Sequence, residues 1–241
     1  MTSSQLIVTT SWDDTTGVDL KLLELLENYG IKATFYAVSN WIGKKISADE
    51  LRHISEVHEI GAHTLNHVTL TRVEKEVARR EILGSKISLE RIIEKRITSF
   101  AYPRGLYRRE HVAMVKEAGF LCARTIKPYF TEIENPFEIN VTLHAAPHKV
   151  MDVKGLARLF RKTPKTILKL YALKKWDKLG KMMFDSFLKR SGVFHLWGHA
   201  WEIDHHKSWP RLEDVLAYVA FRNDITYLTI TDCVKMLCQN R

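Results

Sequence analysis

The sequence has little cysteine and no long hydrophobic run, and both shortages narrow the class of protein. Its 241 residues include three cysteines, Cys122, Cys233 and Cys238. An odd number without Cys-x-x-Cys spacing favours buried or free thiols over a disulfide framework. No apolar stretch approaches the roughly 18–20 residues that cross a bilayer, and the chain does not open on a signal peptide. We therefore expect a globular protein of the cytoplasm.

Nucleic-acid signatures are also missing, although the chain is basic. Lys and Arg number 37 against 28 Asp and Glu, a net charge of +9. Such a surplus favours polyanions, whether phosphate, anionic lipid or acidic glycan. Without a zinc finger or an RNA-binding motif, nucleic acid is not expected as a partner. The oligomeric state is left open by the sequence.

What the chain does have is an alternation of strands and helices. Residues 6–12 predict a strand, leucines at helical spacing in residues 18–26 predict a helix, and residues 33–38 predict a second strand. The alternation continues to the last helix and predicts a parallel sheet with helices outside. A length of 241 residues fits a single α/β barrel domain over residues 1–241.

Residues 151–190 interrupt the alternation with a basic helical insertion. From residue 154 to residue 190 the sequence has twelve Lys or Arg and two Asp, interleaved with aliphatic and aromatic residues. This pattern predicts amphipathic helices that either pack on the domain or form a lid or a membrane-surface element. A peripheral position at the membrane, on a lipid-linked substrate, is therefore left open.

Paired carboxylates and paired histidines follow two of the predicted strands. The first strand runs into Asp13 and Asp14, and a short apolar run precedes His63 and His67. Four residues is about one helical turn, so both imidazoles can face one ion. Strand C-termini carry the chemistry of α/β folds. The sequence therefore predicts a divalent metal held by two imidazoles and one carboxylate, with the other carboxylate free to act as a base.

Three motifs resemble, in their order, those of the polysaccharide deacetylases, carbohydrate esterase family 4. They are Thr-Ser-Trp-Asp-Asp at 10–14, His-Thr-Leu-Asn-His at 63–67 and Tyr-Pro-Arg-Gly at 102–105. A fourth stretch, Leu-Trp-Gly-His at 196–199, stands where the family has its last motif, Leu-x-His, with one extra residue before the histidine. The resemblance covers nearly the whole chain except the insertion. It implies a distorted (β/α)7-type barrel and a metal-dependent enzyme that removes an acetyl group from an N-acetylated sugar.

The resemblance also implies roles for individual residues. A divalent metal, expected to be zinc, would be bound by Asp14, His63 and His67. Asp13 would be the general base, and His199 would be the general acid that protonates the leaving amine. The backbone N–H of Arg104 would face the oxyanion beside the metal. Candidates to line the substrate pocket are Trp197, Trp201 and His144, with a structural role for the tryptophans equally open.

Two departures from the family pattern keep alternatives open. The arginine that normally begins the third motif is replaced by Ala101, so Arg104 or Arg124 takes its place or the base is tuned differently. The family has a further motif between the third and the last, and its acid, which orients the catalytic histidine in the family, is not recognisable in residues 121–143. A deacetylase or deformylase of an amino sugar is the leading hypothesis. A related C–N hydrolase of a small cyclic amide and a catalytically silent carbohydrate- or lipid-binding protein are the alternatives.

Overall fold

Eight parallel strands form one sheet within the residues that the computed structural model describes, which are 5–146, 156–157 and 175–239. Their order across the sheet is β5-β4-β3-β2-β1-β7-β6, with β8 paired to β1. In chain order they are β1 (Leu6–Asp13), β2 (Ala33–Ala37), β3 (Glu59–Ala62), β4 (Ser99–Ala101), β5 (Cys122–Arg124), β6 (Leu143–His144), β7 (Gly192–Gly198) and β8 (Ile225–Tyr227).

Helices follow most of these strands, as the alternation in the sequence predicts. The second of them begins with a capping box, in which the Ser47 hydroxyl accepts from the Glu50 backbone N–H at 3.1 Å and the Glu50 carboxylate accepts from the Ser47 N–H at 2.7 Å. The described helices are α1 (Asp19–Asn28), α2 (Ala48–Val57), α3 (Lys75–Ile93), α4 (Arg109–Glu117), α5 (Trp176–Phe187), α6 (Ala200–His205), α7 (Trp209–Val219) and α8 (Ile230–Gln239).

Strand β1 lies at the centre of the sheet. It pairs with β7 from Leu6 to Trp12, while β8 flanks its first residues and β2 its last four. All eight of its residues are buried. Because a strand covered on both faces has no solvent side, β1 carries a nearly continuous apolar and hydroxyl sequence up to its two carboxylates.

One segment, residues 139–144, joins the two ends of the sheet. The Thr125 backbone N–H donates to the Ile139 carbonyl at 2.7 Å, on the β5 side. The Thr142 N–H donates to the His195 carbonyl at 2.9 Å, and Leu143 pairs with Leu196, on the β7 side. The sheet therefore curls into the distorted (β/α)7-type barrel expected from the sequence, and this prediction is confirmed.

The described part of the basic insertion is residues 156–157 and 175–190, and its helix α5 packs on the barrel. Its buried Phe184 lies 5.3 Å from the ring of Phe194 on β7 and 6.0 Å from the ring of Tyr218 on α7. Residues 147–155 and 158–174 lie outside the described residues, so the lid or membrane role and the single-domain organisation stay predictions. None of the described helices is long and apolar enough to cross a bilayer. The cytoplasmic location stays a prediction as well.

Gly61 allows the close packing of β3 against β2, and its substitution tests that packing. A Cβ at this position would lie 2.4 Å from Cε1 of Tyr36, a fully buried ring whose hydroxyl bonds Ser99. We expect Gly61→Ala to lower the free energy of unfolding by about 1–3 kcal/mol, measured by urea denaturation. In Gly17→Ala the new Cβ would meet the Lys45 carbonyl at 3.7 Å. An equal loss of stability in this control would contradict the packing argument.

Candidate active site

Three side chains that the sequence predicts as metal ligands converge at the C-terminal ends of β1 and β3. Asp14 directly follows β1, and His63 directly follows β3. The ligand atoms of Asp14, His63 and His67 all lie within 4.8 Å of one another. Nε2 of His67 is 3.4 Å from Oδ1 of Asp14, and Nε2 of His63 is 4.0 Å from the same oxygen. The structure therefore brings the predicted carboxylate and both imidazoles to one point.

The two histidines reach that point through a loop, so the helical-turn argument for their spacing is wrong. Thr64 and His67 have left-handed backbones with φ of 66° and 58°, and Asp14 has a φ of 59°. Such backbones are uncommon for residues other than glycine, and they cost about 1–3 kcal/mol each when surrounding contacts impose them. The imidazoles converge because the loop turns back on itself, which spacing alone does not reveal.

Helix α3 holds this loop in place. The buried carboxylate of Glu81 accepts from the backbone N–H of Asn66 at 2.9 Å and from its side-chain amide at 2.6 Å. Leu65 packs over Gly84, where a Cβ would lie 2.7 Å from its Cδ1. Both contacts fix residues that lie between His63 and His67.

The donor set fits a divalent cation. Nδ1–H of His63 donates to the Ala101 carbonyl at 2.9 Å, which leaves Nε2 as a lone-pair donor towards Asp14. Burial lowers the pKa of His63 to about 4, so the ring is neutral near pH 7. Oδ1 of Asp14 is buried and accepts no hydrogen bond from the described residues. Two imidazoles with one unsatisfied carboxylate oxygen match the nitrogen and oxygen ligands that zinc takes in catalytic sites.

Asp13 forms a buried ion pair beside this triad. The Arg124 guanidinium donates to its Oδ1, and Nε1–H of Trp197 donates to its Oδ2 at 3.0 Å. Nε2 of His63 lies 3.9 Å from Oδ2. Burial raises the pKa of Asp13, but the charge and hydrogen bond of Arg124, together with His63 and His199, outweigh burial and hold this pKa well below its usual value. Asp13 is therefore an anion fixed at both oxygens.

Arg124 makes the contact with Asp13 that was expected from an arginine at position 101. It is fully buried, and its guanidinium lies 5.0 Å from the Tyr36 ring and 5.4 Å from the Trp197 ring. Arg124 on β5 is the register partner of Ala101 on β4, so its side chain enters the barrel from the adjacent strand position. Arg104, the other candidate, is exposed in a single 3-10 turn, Pro103–Gly105, with φ of 59°.

The Tyr102–Gly105 motif follows Ala101, which contacts the candidate metal ligand His63. The carbonyl that binds His63 belongs to Ala101, and the turn begins two residues later. Left-handed Arg104 and Gly105, with φ of 59° and 65°, give the turn its shape. The role of the Arg104 N–H towards an oxyanion stays a prediction.

An acid that sequence reasoning missed, Glu202, holds His199. Nδ1 of His199 is 2.8 Å from Oε2 of Glu202, and Nε2 of His144 is 3.0 Å from the same oxygen. Burial lowers the pKa of His199, but the hydrogen bond and charge of Glu202, with Asp13, raise it above its ordinary value. The sequence signal that could have identified Glu202 is its position three residues after His199, in the α6 region.

The predicted pocket tryptophans occupy different positions. Trp197 is buried, binds Asp13 and stacks on His144 with ring centroids 4.2 Å apart. Trp201 is 43% exposed and lies 5.2 Å from the His199 ring. A further tryptophan, Trp41, lies 5.8 Å from the His67 ring and was not predicted. Trp197 therefore supports other site residues, whereas Trp41 and Trp201 flank the site.

Fold and site together define a parallel α/β barrel with a candidate metal centre at its strand ends. The chain belongs to the polysaccharide deacetylase family, whose model matches residues 2–123, half of the chain. The family expected from the sequence motifs is thus confirmed.

Individual relatives are distant. YxkH of Bacillus subtilis, assigned to the same family, is 25% identical over 108 residues, which cover 43% of this chain and 38% of YxkH. A family protein from Mycobacterium smegmatis matches at 15% identity with a TM-score of 0.67, covering 100% of this chain and 93% of that one. BA3943 of Bacillus anthracis, a pseudoenzyme of carbohydrate esterase family 4, matches at 15% identity and a TM-score of 0.58, covering 95% and 66%. At identities this low, the two structural matches show a shared fold and nothing more specific.

Breaking the Arg124–Asp13 pair from one side tests its place in the structure. We expect Arg124→Met to lower the free energy of unfolding by about 3–5 kcal/mol, because it leaves the Asp13 charge buried and unpaired. The double variant Arg124→Met/Asp13→Asn recovers part of this loss. Urea denaturation at pH 7 measures both.

The matched control is Arg79→Met, which removes an exposed ion pair with Glu117. Its expected cost is below about 1 kcal/mol. A loss in Arg124→Met no larger than in this control would contradict the buried-pair account.

Proposed function

We propose that the protein is a metal-dependent hydrolase that removes an acetyl or formyl group from an N-acylated amino sugar, in a glycan or a lipid-linked saccharide. The observation that carries the proposal is the convergence of Asp14, His63 and His67 beside the fixed anion Asp13. Family membership supports the carbohydrate deacetylase class. The identity of the sugar and the acyl group is part of the proposal.

Asp14, His63 and His67 would hold the cation, with zinc the expected ion. When bound, such an ion lowers the pKa of a water to about 7 and polarises an acyl carbonyl. Asp13 accepts the proton of the attacking water. Arg124 and Trp197 keep Asp13 anionic and oriented for that transfer, because each holds one of its oxygens.

The leaving amine needs a proton, and His199 supplies it. Glu202 accepts from Nδ1–H of His199, which leaves the Nε2–H to donate. The Glu202 hydrogen bond opposes the effect of burial and raises the pKa of His199. A larger fraction of the ring is therefore protonated near neutral pH. The backbone N–H of Arg104 stabilises the oxyanion of the tetrahedral intermediate.

The alternatives differ from this proposal in testable ways. The altered third motif and the missing motif between it and the last favour a silent carbohydrate- or lipid-binding role, and BA3943 is a pseudoenzyme of the family. In this chain Arg124 and Glu202 make the contacts that the missing groups would make. These contacts favour an enzyme. The cyclic-amide alternative is disfavoured because all three candidate metal ligands are present.

Removal and return of the metal tests the proposal. We expect chelated protein to release no acetate from a panel of free, polymeric, nucleotide-linked and lipid-linked N-acetylated sugars, and to recover on addition of Zn²⁺. His67→Ala removes one of three protein ligands, so it should weaken Zn²⁺ binding in calorimetry and abolish release. His53→Ala, an exposed histidine on α2, is the control. Silence of the wild type across the panel with metal bound would argue for the binding role.

The role of Glu202 is tested by removing its charge while keeping its shape. We expect Glu202→Gln to lower kcat about 10- to 100-fold. It also moves the alkaline limb of the pH–rate profile to lower pH, because His199 then loses its proton at lower pH. Asp204→Asn, on the same helix and bonded to Trp209, should leave the profile unchanged. A Glu202→Gln profile identical to that of the wild type would exclude this role.

A further inference from the structure

A groove of about 610 Å³ opens beside the Tyr102–Gly105 turn, and no step proposed above uses it. Its lining comes from the segments that follow three adjacent strands, with Thr71 after β3, residues 105–109 after β4 and Lys127 after β5. Asp14 and His63 also follow strand ends. The groove therefore lies on the rim of the barrel where ligands of α/β folds bind.

The groove is positively charged. Its lining includes Arg108, Arg109 and Lys127, all exposed, and a carboxylate, Glu138. Within the described residues Arg109 and Lys127 form no ion pair, and Arg108 has Glu110 at 3.6 Å. Three cations thus face the groove with one carboxylate among them.

The carboxylate of Glu138 is already engaged. It accepts from the Tyr107 hydroxyl at 2.8 Å and from the Asn135 amide at 2.6 Å. These bonds satisfy both of its oxygens without using a lining cation. Arg109 and Lys127 are therefore left to bind an anion from outside the chain.

The walls of the groove are locked together before any ligand arrives. Gly105 packs so closely on Ile126 that a Cβ there would lie 2.4 Å from the Ile126 Cγ1. Tyr107 stacks on Tyr102 with ring centroids 4.3 Å apart and an interplanar angle of 19°. A preformed site loses less conformational entropy on binding.

Gly105 is the neighbour of Arg104, whose N–H is assigned above to the oxyanion. The groove and the assigned oxyanion position therefore share one turn of the chain. We propose that this groove binds an anionic substituent, a phosphate or a carboxylate, carried by the substrate glycan. Guanidinium groups bind both anions through paired N–H donors. The inference rests on the proposed function for the identity of the ligand as a substrate.

Equilibrium binding to the full chain, freed of metal and dialysed, tests the groove without relying on catalysis. The probes are N-acetylglucosamine, N-acetylglucosamine 1-phosphate and glucuronic acid, titrated by NMR at low salt. We expect one or both anionic sugars to bind at least about tenfold more tightly than the neutral sugar, with the preference decreasing as salt is added. The phosphate and the carboxylate arms distinguish the two anions.

The double variant Arg109→Ala/Lys127→Ala should lose the preference for the anionic sugar, while its binding of the neutral sugar stays the same. The control is Lys235→Ala, an exposed cation on α8, whose first turn bonds Glu59 at the start of β3 and so lies at the opposite end of the barrel. Equal affinity for neutral and anionic sugars, or a preference that survives in the double variant, would overturn the proposal.

Acetate release from the metal-loaded protein is measured separately. Anion preference without hydrolysis of any substrate would count against the proposed function and leave the groove standing. Hydrolysis without anion preference would support the proposed function and count against the groove as an anion site.

Discussion

The buried ion pair between Arg124 and Asp13 is the constraint on which the site depends. Both side chains are almost fully removed from water, so each charge is tolerable only because of the other. The pair holds one oxygen of Asp13, and Trp197 holds the second. Asp13 adjoins the candidate ligand Asp14 in sequence, so the same contacts that stabilise the pair also limit the position of the candidate metal centre.

Two groups of the family motifs are missing from this chain at their usual positions, and side chains of the same charge lie at neighbouring positions in space. The guanidinium comes from Arg124, one strand away from Ala101 and in register with it. The acid comes from Glu202, three residues after the histidine that it holds. Electrostatics explains why such exchanges preserve a site. A carboxylate responds to the position and charge of its partner, and not to the strand that carries it.

The rim of the barrel combines strain with support. Asp14, Thr64, His67 and Arg104 all have left-handed backbones, and these residues cluster at the ends of β1, β3 and β4. Glu81 and Gly84 on α3 hold the loop that carries the histidines, and Gly105 fixes the neighbouring turn. The candidate metal centre and the basic groove therefore share one rigid rim, which suits a substrate that spans both.

The sequence by itself determined the alternation of strands and helices, the barrel class and the identity of the three residues that converge, Asp14, His63 and His67. These follow from local apolar periodicity and from motifs of a few residues, which a linear chain displays directly. Only the tertiary structure decided that Arg124 pairs with Asp13, because the two are 111 residues apart and lie on strands that are not neighbours in the sheet. The same holds for the contact of His144 with Glu202, 58 residues apart. It also decided that a left-handed loop, not a helical turn, joins the two histidines, since long-range contacts with α3 stabilise that backbone against its local preference.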